Sequence, residues 1–87
     1  MKIVYHKTFR DHFKRRIAPN KKLQSRFYNR LNLLIQDPQN PLLKRHQLKG
    51  KKRNYWSFSV TGDIRVVYRI ESKTLFLYDI GTHVQVY

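Results

Sequence analysis

The sequence closes on LYDIGTHVQVY, which sets His83 at the end of an apolar, strand-like run and Tyr87 four residues further on. Imidazole is the side chain that trades a proton near neutral pH, and a phenol beside it can donate or accept a hydrogen bond. Chain ends ordinarily fray, so this pair can do chemistry only if the strand before it ties it down. His46 lies in LKRHQLKGKKRNYW, among Lys44, Arg45, Lys49, Lys51, Lys52 and Arg53, with Tyr55 and Trp56 following. Cations interleaved with aromatic rings suit phosphate contact and base stacking, although Trp56 taken alone reads first as core. Arg65 sits in mid-strand between apolar residues, where a guanidinium is costly unless it faces solvent or a charged ligand. It therefore fits a phosphate clamp. Asp63, in the turn TGD, serves either as a turn residue or as a catalytic acid. Plainer readings also exist for His83, as a turn residue, and for Tyr87, as an apolar plug.

The histidines at 6, 12, 46 and 83 show no helical pairing, and the acids at 11, 37, 63, 71 and 79 are dispersed. Two-metal phosphoryl transfer needs converging carboxylates, so neither a metal nor another cofactor is expected. Without cysteine there is no disulfide and no thiolate zinc site. Metal-free cleavage of a phosphodiester needs an internal nucleophile, proton-transfer groups and cations around the charged phosphorus. RNA supplies the nucleophile in its 2′-OH and DNA does not. Histidine, tyrosine, lysine and arginine supply the rest. A nuclease with this inventory cuts RNA.

These side chains must be positioned by a small frame. A chain of 87 residues buries only about 60 to 65% of its unfolded surface, so one domain spanning 1–87 is expected. Nineteen Lys and Arg against five acids give a net charge of +14, a field that attracts polyanions. Nucleic acid, a ribosome or an acidic protein are the partners it suits. No apolar run approaches the roughly 18 residues of a membrane span, and a cytoplasmic protein is expected.

KIVYH reads as a short strand. Phe9, Phe13 and Ile17 then recur every four residues behind Thr8, a candidate N-cap, and predict a first helix. Asn20 caps a second, through KKLQSRFYNRLNLLIQ, with Leu23, Phe27, Leu31 and Leu34 on its apolar stripe. Asp37-Pro38 ends it. An irregular, charged connection follows, with Leu42, Leu43 and Leu48 tacking it to the core. NYWSFSV, IRVVYRI and TLFLYDI, joined at TGD and ESK, make an antiparallel meander. Alternation sets Trp56, Phe58, Ile64, Val66, Tyr68 and Ile70 on the face that takes the helices and Ser57, Ser59, Arg65 and Arg69 on an open polar face. The class is α+β, with an N-terminal strand and a two-helix hairpin on one face of a twisted antiparallel sheet. Arg69 joins the RNA-facing set, and Lys14, Arg15, Arg16, Lys21, Lys22, Arg26 and Arg30 form a second basic surface on the helices.

RHQLKGKKRNYWSFSVTGDIRVVYRI and LYDIGTHVQVY together resemble the RelE/ParE superfamily of toxins from bacterial type II toxin-antitoxin pairs, most closely the YafQ-type branch of RelE-like mRNA interferases. The resemblance implies an RNase that enters the ribosomal A site and cuts mRNA through 2′-OH attack, silenced by a cognate antitoxin that is acidic where it binds. It implies catalytic roles for His46, Asp63, Arg65, His83 and Tyr87, and a ribosomal use for the basic helices. YafQ-like toxins usually carry one more histidine, at the position that is Ser59 here. The alternative is a ParE-type toxin that inhibits DNA gyrase by binding; it would keep Arg65 and leave His46, His83 and Tyr87 without a purpose. A plain RNA-binding module is the third reading.

Overall fold

Helices α1 (Lys7–Arg16) and α2 (Lys21–Gln36) form where apolar residues recur every fourth position, in a computed structural model that describes residues 1–87. Phe9, Phe27, Leu31 and Leu34 are buried, the outcome that the stripes predict. The Asn20 side-chain oxygen caps α2 by accepting the Lys22 and Leu23 N–H groups at 3.0 and 3.2 Å. At α1 the cap differs from expectation. His6, rather than Thr8, holds the first turn, its Nδ1 accepting the Thr8 N–H at 3.2 Å.

Five strands follow the order β1-β5-β4-β3-β2, where β1 is Lys2–Tyr5, β2 His46–Gln47, β3 Trp56–Ser59, β4 Ile64–Glu71 and β5 Thr74–Thr82. The meander of β3, β4 and β5 is antiparallel as its tight turns require. β4 and β5 are joined through Ser72 and Lys73, whose φ values of 50° and 63° give a turn whose twist matches the strands it joins. β1, however, pairs parallel with β5, Lys2 opposite Thr74 and Tyr5 opposite Leu77. The sheet is therefore mixed, and β5 lies inside it rather than at an edge. His46, expected in a loop, belongs to the two-residue strand β2, with Ser57 opposite.

The helices cover one face of the sheet. There Phe9, Phe27, Leu31 and Leu34 meet Phe58, Val66, Tyr68, Leu75, Leu77 and Ile80 in a core of 13 buried residues. The opposite face was expected to be polar and open, and it is not. Leu48, Val67 and Val86 form a second, three-residue cluster there, with Tyr55 and Tyr78 packed against it, and Ser57 and Ser59 are buried. The cover is the 46–55 segment and a short helix α3 (His83–Val86) that continues directly from β5. Of the three leucines expected to tack the connection, Leu43 enters the main core and Leu48 the small cluster, while Leu42 stays exposed. No helix is long and apolar enough to cross a membrane.

Candidate active site

α3 delivers the terminal histidine and tyrosine. It begins in a capping box: the Thr82 hydroxyl accepts the Gln85 N–H, and the Gln85 side chain accepts the Thr82 N–H at 2.8 Å. Each end thus satisfies an otherwise orphaned donor. Gly81 leaves room for the Arg16 and Gln85 side-chain ends beside the strand, since a Cβ there would lie 2.5 Å from both Arg16 Nη1 and Gln85 Oε1 and both would have to shift. Val86 is buried, and its carbonyl accepts a hydrogen bond from Lys52 Nζ at 3.1 Å. The end of the chain is pinned by side chains far from it in sequence.

Register sets the rest. His46, Ser57, Val67 and Asp79 stand opposite one another across β2, β3, β4 and β5, and Ser59, Arg65 and Gly81 form a row two residues along. Ser57 is small enough for Tyr87 to lie over it. The Tyr87 hydroxyl donates to Ser57 Oγ, which is 3.4 Å from His46 Nδ1, and Tyr87 Oη is 3.4 Å from His46 Nε2. One proton arrangement satisfies all three contacts: Tyr87 donates to Ser57, Ser57 to His46 Nδ1, and His46 Nε2–H back to the Tyr87 oxygen. The two histidine contacts lie at the long end of hydrogen bonding, a range that commonly tightens when a substrate binds. His83 packs edge-on against Tyr87, ring centroids 4.4 Å apart at 87°, and makes no side-chain hydrogen bond within the chain.

His46, His83, Tyr87, Lys49 and Lys52 line one pocket of about 310 Å³. His83 also lines an adjoining hollow that holds Asp63 and Arg65. All five catalytic candidates therefore border two hollows that share His83 as a wall. Asp63 is exposed in its turn, where its N–H donates to Thr61 Oγ1 at 3.1 Å. Arg65 is half-buried, and its Nη1 is sealed from solvent without a hydrogen-bond partner in the protein. A donor left in that state costs free energy that an anionic ligand would recover. No three His, Asp or Glu side chains converge anywhere in the chain. Proton transfer by imidazole and phenol, with lysine and arginine around an anion, is the chemistry this arrangement can perform.

Several candidates are occupied elsewhere. Arg69 lies with its guanidinium 5.7 to 5.8 Å from the Tyr55, Phe76 and Tyr78 rings and pairs with Glu71 at 2.9 Å. It packs the sheet surface instead of standing free for RNA. Trp56 packs on the main core with the Arg45 guanidinium 5.1 Å from its ring centroid, and Arg45 also donates to Tyr68 Oη at 3.3 Å. Lys44 closes a turn in left-handed conformation, φ 46°. Lys51 and Arg53 are exposed beside the pocket. On the helices, Arg16 donates to the Ile80 carbonyl at 2.8 Å and Arg26 to that of Val60 at 3.1 Å, because both side chains fold back onto the sheet. Lys14, Arg15, Lys21 and Lys22 stay exposed, and Arg30 is half-buried. Ser59 is buried, and its hydroxyl donates to the Thr61 carbonyl.

Sequence reasoning missed Ser57 as the link between Tyr87 and His46, and α3 as the element that presents them. The second was readable: Thr82 and Gln85 have capping-box spacing. The first depends on a cross-strand register that a single strand does not encode.

Two helices on one face of a small mixed sheet are the fold shared with solved YafQ and YoeB/ParE toxins. Over residues 1–87 the sequence matches the model of the bacterial toxin of type II toxin-antitoxin system, YafQ, and the chain belongs to that family. YafQ from E. coli strain BL21(DE3) superposes with a TM-score of 0.83 at 22% identity, over 99% of this chain and 97% of that one. A YoeB/ParE toxin from Agrobacterium tumefaciens gives 0.82 at 23% identity, over 95% and 99%. The toxin of the E. coli DinJ-YafQ toxin-antitoxin complex gives 0.80 at 22%, over 99% and 96%. At these identities the likeness is one of fold. No curated protein matches the sequence.

Proposed function

We propose that this type II toxin is a metal-independent endoribonuclease that cuts mRNA in the ribosomal A site. The observation that carries the reading is the meeting of His46, His83 and Tyr87 in one lysine-lined pocket, with the unpartnered Arg65 on the other side of His83. In this reaction the RNA 2′-oxygen attacks the adjacent phosphorus as its proton passes to a base. The bond to the 5′-oxygen breaks, and that oxygen takes a proton from an acid. The products are a 2′,3′-cyclic phosphate and a 5′-hydroxyl. His83, unencumbered by hydrogen bonds, is one proton-transfer group; His46, oriented by Ser57 and Tyr87, is the other. Arg65 and Lys52 offset the charge gathered on phosphorus in the transition state, and Asp63 acts from the rim of the Arg65 hollow. The exposed Lys14, Arg15, Lys21 and Lys22 hold ribosomal RNA, with Arg30 beside them.

The cognate antitoxin is acidic in the segment that binds, since a net charge of +14 favours such a partner and a segment that folds on binding needs strong contacts. The test is primer-extension mapping of mRNA held on ribosomes, with His83→Ala in parallel. Cuts inside the A-site codon that disappear in the variant and are absent from free mRNA are expected. Intact mRNA with the wild-type protein would overturn the reading and favour gyrase inhibition by binding.

A further inference from the structure

A second hollow of about 230 Å³ adjoins the candidate active site, and Lys52 belongs to the walls of both. The hydrogen bond between Lys52 Nζ and the Val86 carbonyl forms the ridge that divides them. The floor of the second hollow is apolar, made by Val67 and Val86. Its walls are aromatic. Tyr55 and Tyr78 stand nearly perpendicular, ring centroids 4.6 Å apart at 80°, and the His6 ring lies 5.4 Å from that of Tyr78. The Arg69 guanidinium, 5.8 Å from each tyrosine centroid and anchored by Glu71, braces both rings. Asp79 also reaches this hollow, but its carboxylate is engaged by His12, by the Ile80 N–H and, at 3.8 Å, by Arg16. It presents little free negative charge to an incoming anion.

The proton chemistry at His46 and His83 uses none of these rings. An aromatic recess with an apolar floor takes a flat, apolar-faced ligand, and the shared lysine supplies a phosphate contact at its mouth. An RNA strand whose scissile phosphate sits in the first pocket carries its neighbouring base to the Lys52 ridge. We infer that the second hollow is a nucleobase subsite: the base next to the scissile phosphate stacks on Tyr78, which Tyr55 braces edge-on, and Lys52 contacts the phosphate between the two nucleotides. The inference rests on the ribonuclease reading. Stacking of a base on an aromatic side chain is worth about 5- to 100-fold in affinity, enough to make this recess a determinant of which nucleotide flanks the cut.

The experiment compares wild-type protein with Tyr78→Leu and Tyr78→Phe on ribosome-held mRNA, intact or carrying an abasic nucleotide on either side of the cut. With wild-type protein and Tyr78→Phe, one abasic position is expected to lower kcat/KM by about 5- to 100-fold. Tyr78→Leu is expected to start from that lower value and to be indifferent to the missing base. An abasic penalty of equal size in Tyr78→Leu overturns the subsite. His83→Ala serves as the contrast, losing rate on both substrates alike. If wild-type protein cuts nothing, the nuclease reading fails separately, and a binding measurement decides the subsite. For that arm a short RNA with a 2′-deoxy scissile position and 2-aminopurine beside it is titrated with each protein. Fluorescence quenching by wild-type protein and Tyr78→Phe that is absent with Tyr78→Leu supports the subsite; equal signals from all three overturn it.

Discussion

The two faces of the sheet are built on different scales. The helix side buries 13 residues in one cluster, whereas the site side buries three, beneath a four-residue helix. Hydrophobic stabilisation grows with buried apolar area, so the helix side carries the fold. The site side needs only enough apolar contact to hold α3 in place. Small residues fit that role: Ser57 and Ser59 leave room above β3, and Tyr87 occupies it over Ser57. Two arginines on β4 repeat the contrast within one strand. Each has one buried nitrogen without a partner, but Arg69 is enclosed by rings and paired with Glu71, while Arg65 makes no ion pair and borders the hollow next to His83.

The contrast can be broken by core truncation. Leu77→Ala, on the helix side, is expected to cost roughly 2 to 5 kcal/mol in urea unfolding, and Val86→Ala, on the site side, roughly 1 kcal/mol. Equal losses would mean that the small cluster carries as much of the fold as the large one. Within the site, His83→Ala is expected to lower cleavage about 10²-fold or more with an unchanged urea midpoint, since the ring is exposed. The β4 pair sharpens this further. Arg65→Ala should reduce cleavage by about 10²-fold with little change in stability. Arg69→Ala should do the reverse, costing roughly 1 to 2 kcal/mol through lost ring contacts and sparing the rate. Loss of rate in both variants would remove the distinction. Tyr87→Phe removes the hydroxyl shared with Ser57 and His46 and is expected to cost about 1 kcal/mol, the net worth of a typical hydrogen bond. No change in either stability or rate would show that the hydroxyl is idle.

The smallest effect is one of pH. Burial raises the Tyr68 hydroxyl above its ordinary value despite the Arg45 contact. A folded-state value above the unfolded one gives stability that is complete below about pH 10 and is lost as pH rises through the folded value. Tyr68→Phe should flatten that alkaline fall in chemical denaturation followed across pH. A fall of unchanged steepness would assign it to other groups.

Local pattern made most of this frame legible. The fourfold spacing of Phe9 and Phe13, the Asn20 cap and the Asp37-Pro38 stop are all short-range signals, and they gave the two helices nearly to the residue. The meander followed from its turns. The parallel pairing of β1 with β5 was not legible, because it joins residues at opposite ends of the sequence and parallel pairing carries no turn between the partners. Arg45 and Arg69 looked like free cations because charge is visible in a sequence and the rings around them are not. The five catalytic candidates were legible by residue type, and the structure brings them to adjoining spaces. Ser57 and the Tyr55-Tyr78 recess were not legible, since each exists only through register and packing across strands.

The inner position of β5 bears on timing during synthesis. β1 and β4 both pair with β5, and α1 and α3 pack on it, so the residues made first have no sheet to join until residues 74–82 are available. Pairings that span most of a chain are slow to form, and His83 and Tyr87 follow that strand. Assembly of the proposed site therefore waits on the closing of the sheet around β5, which gives an antitoxin an interval in which to meet the chain before that site exists.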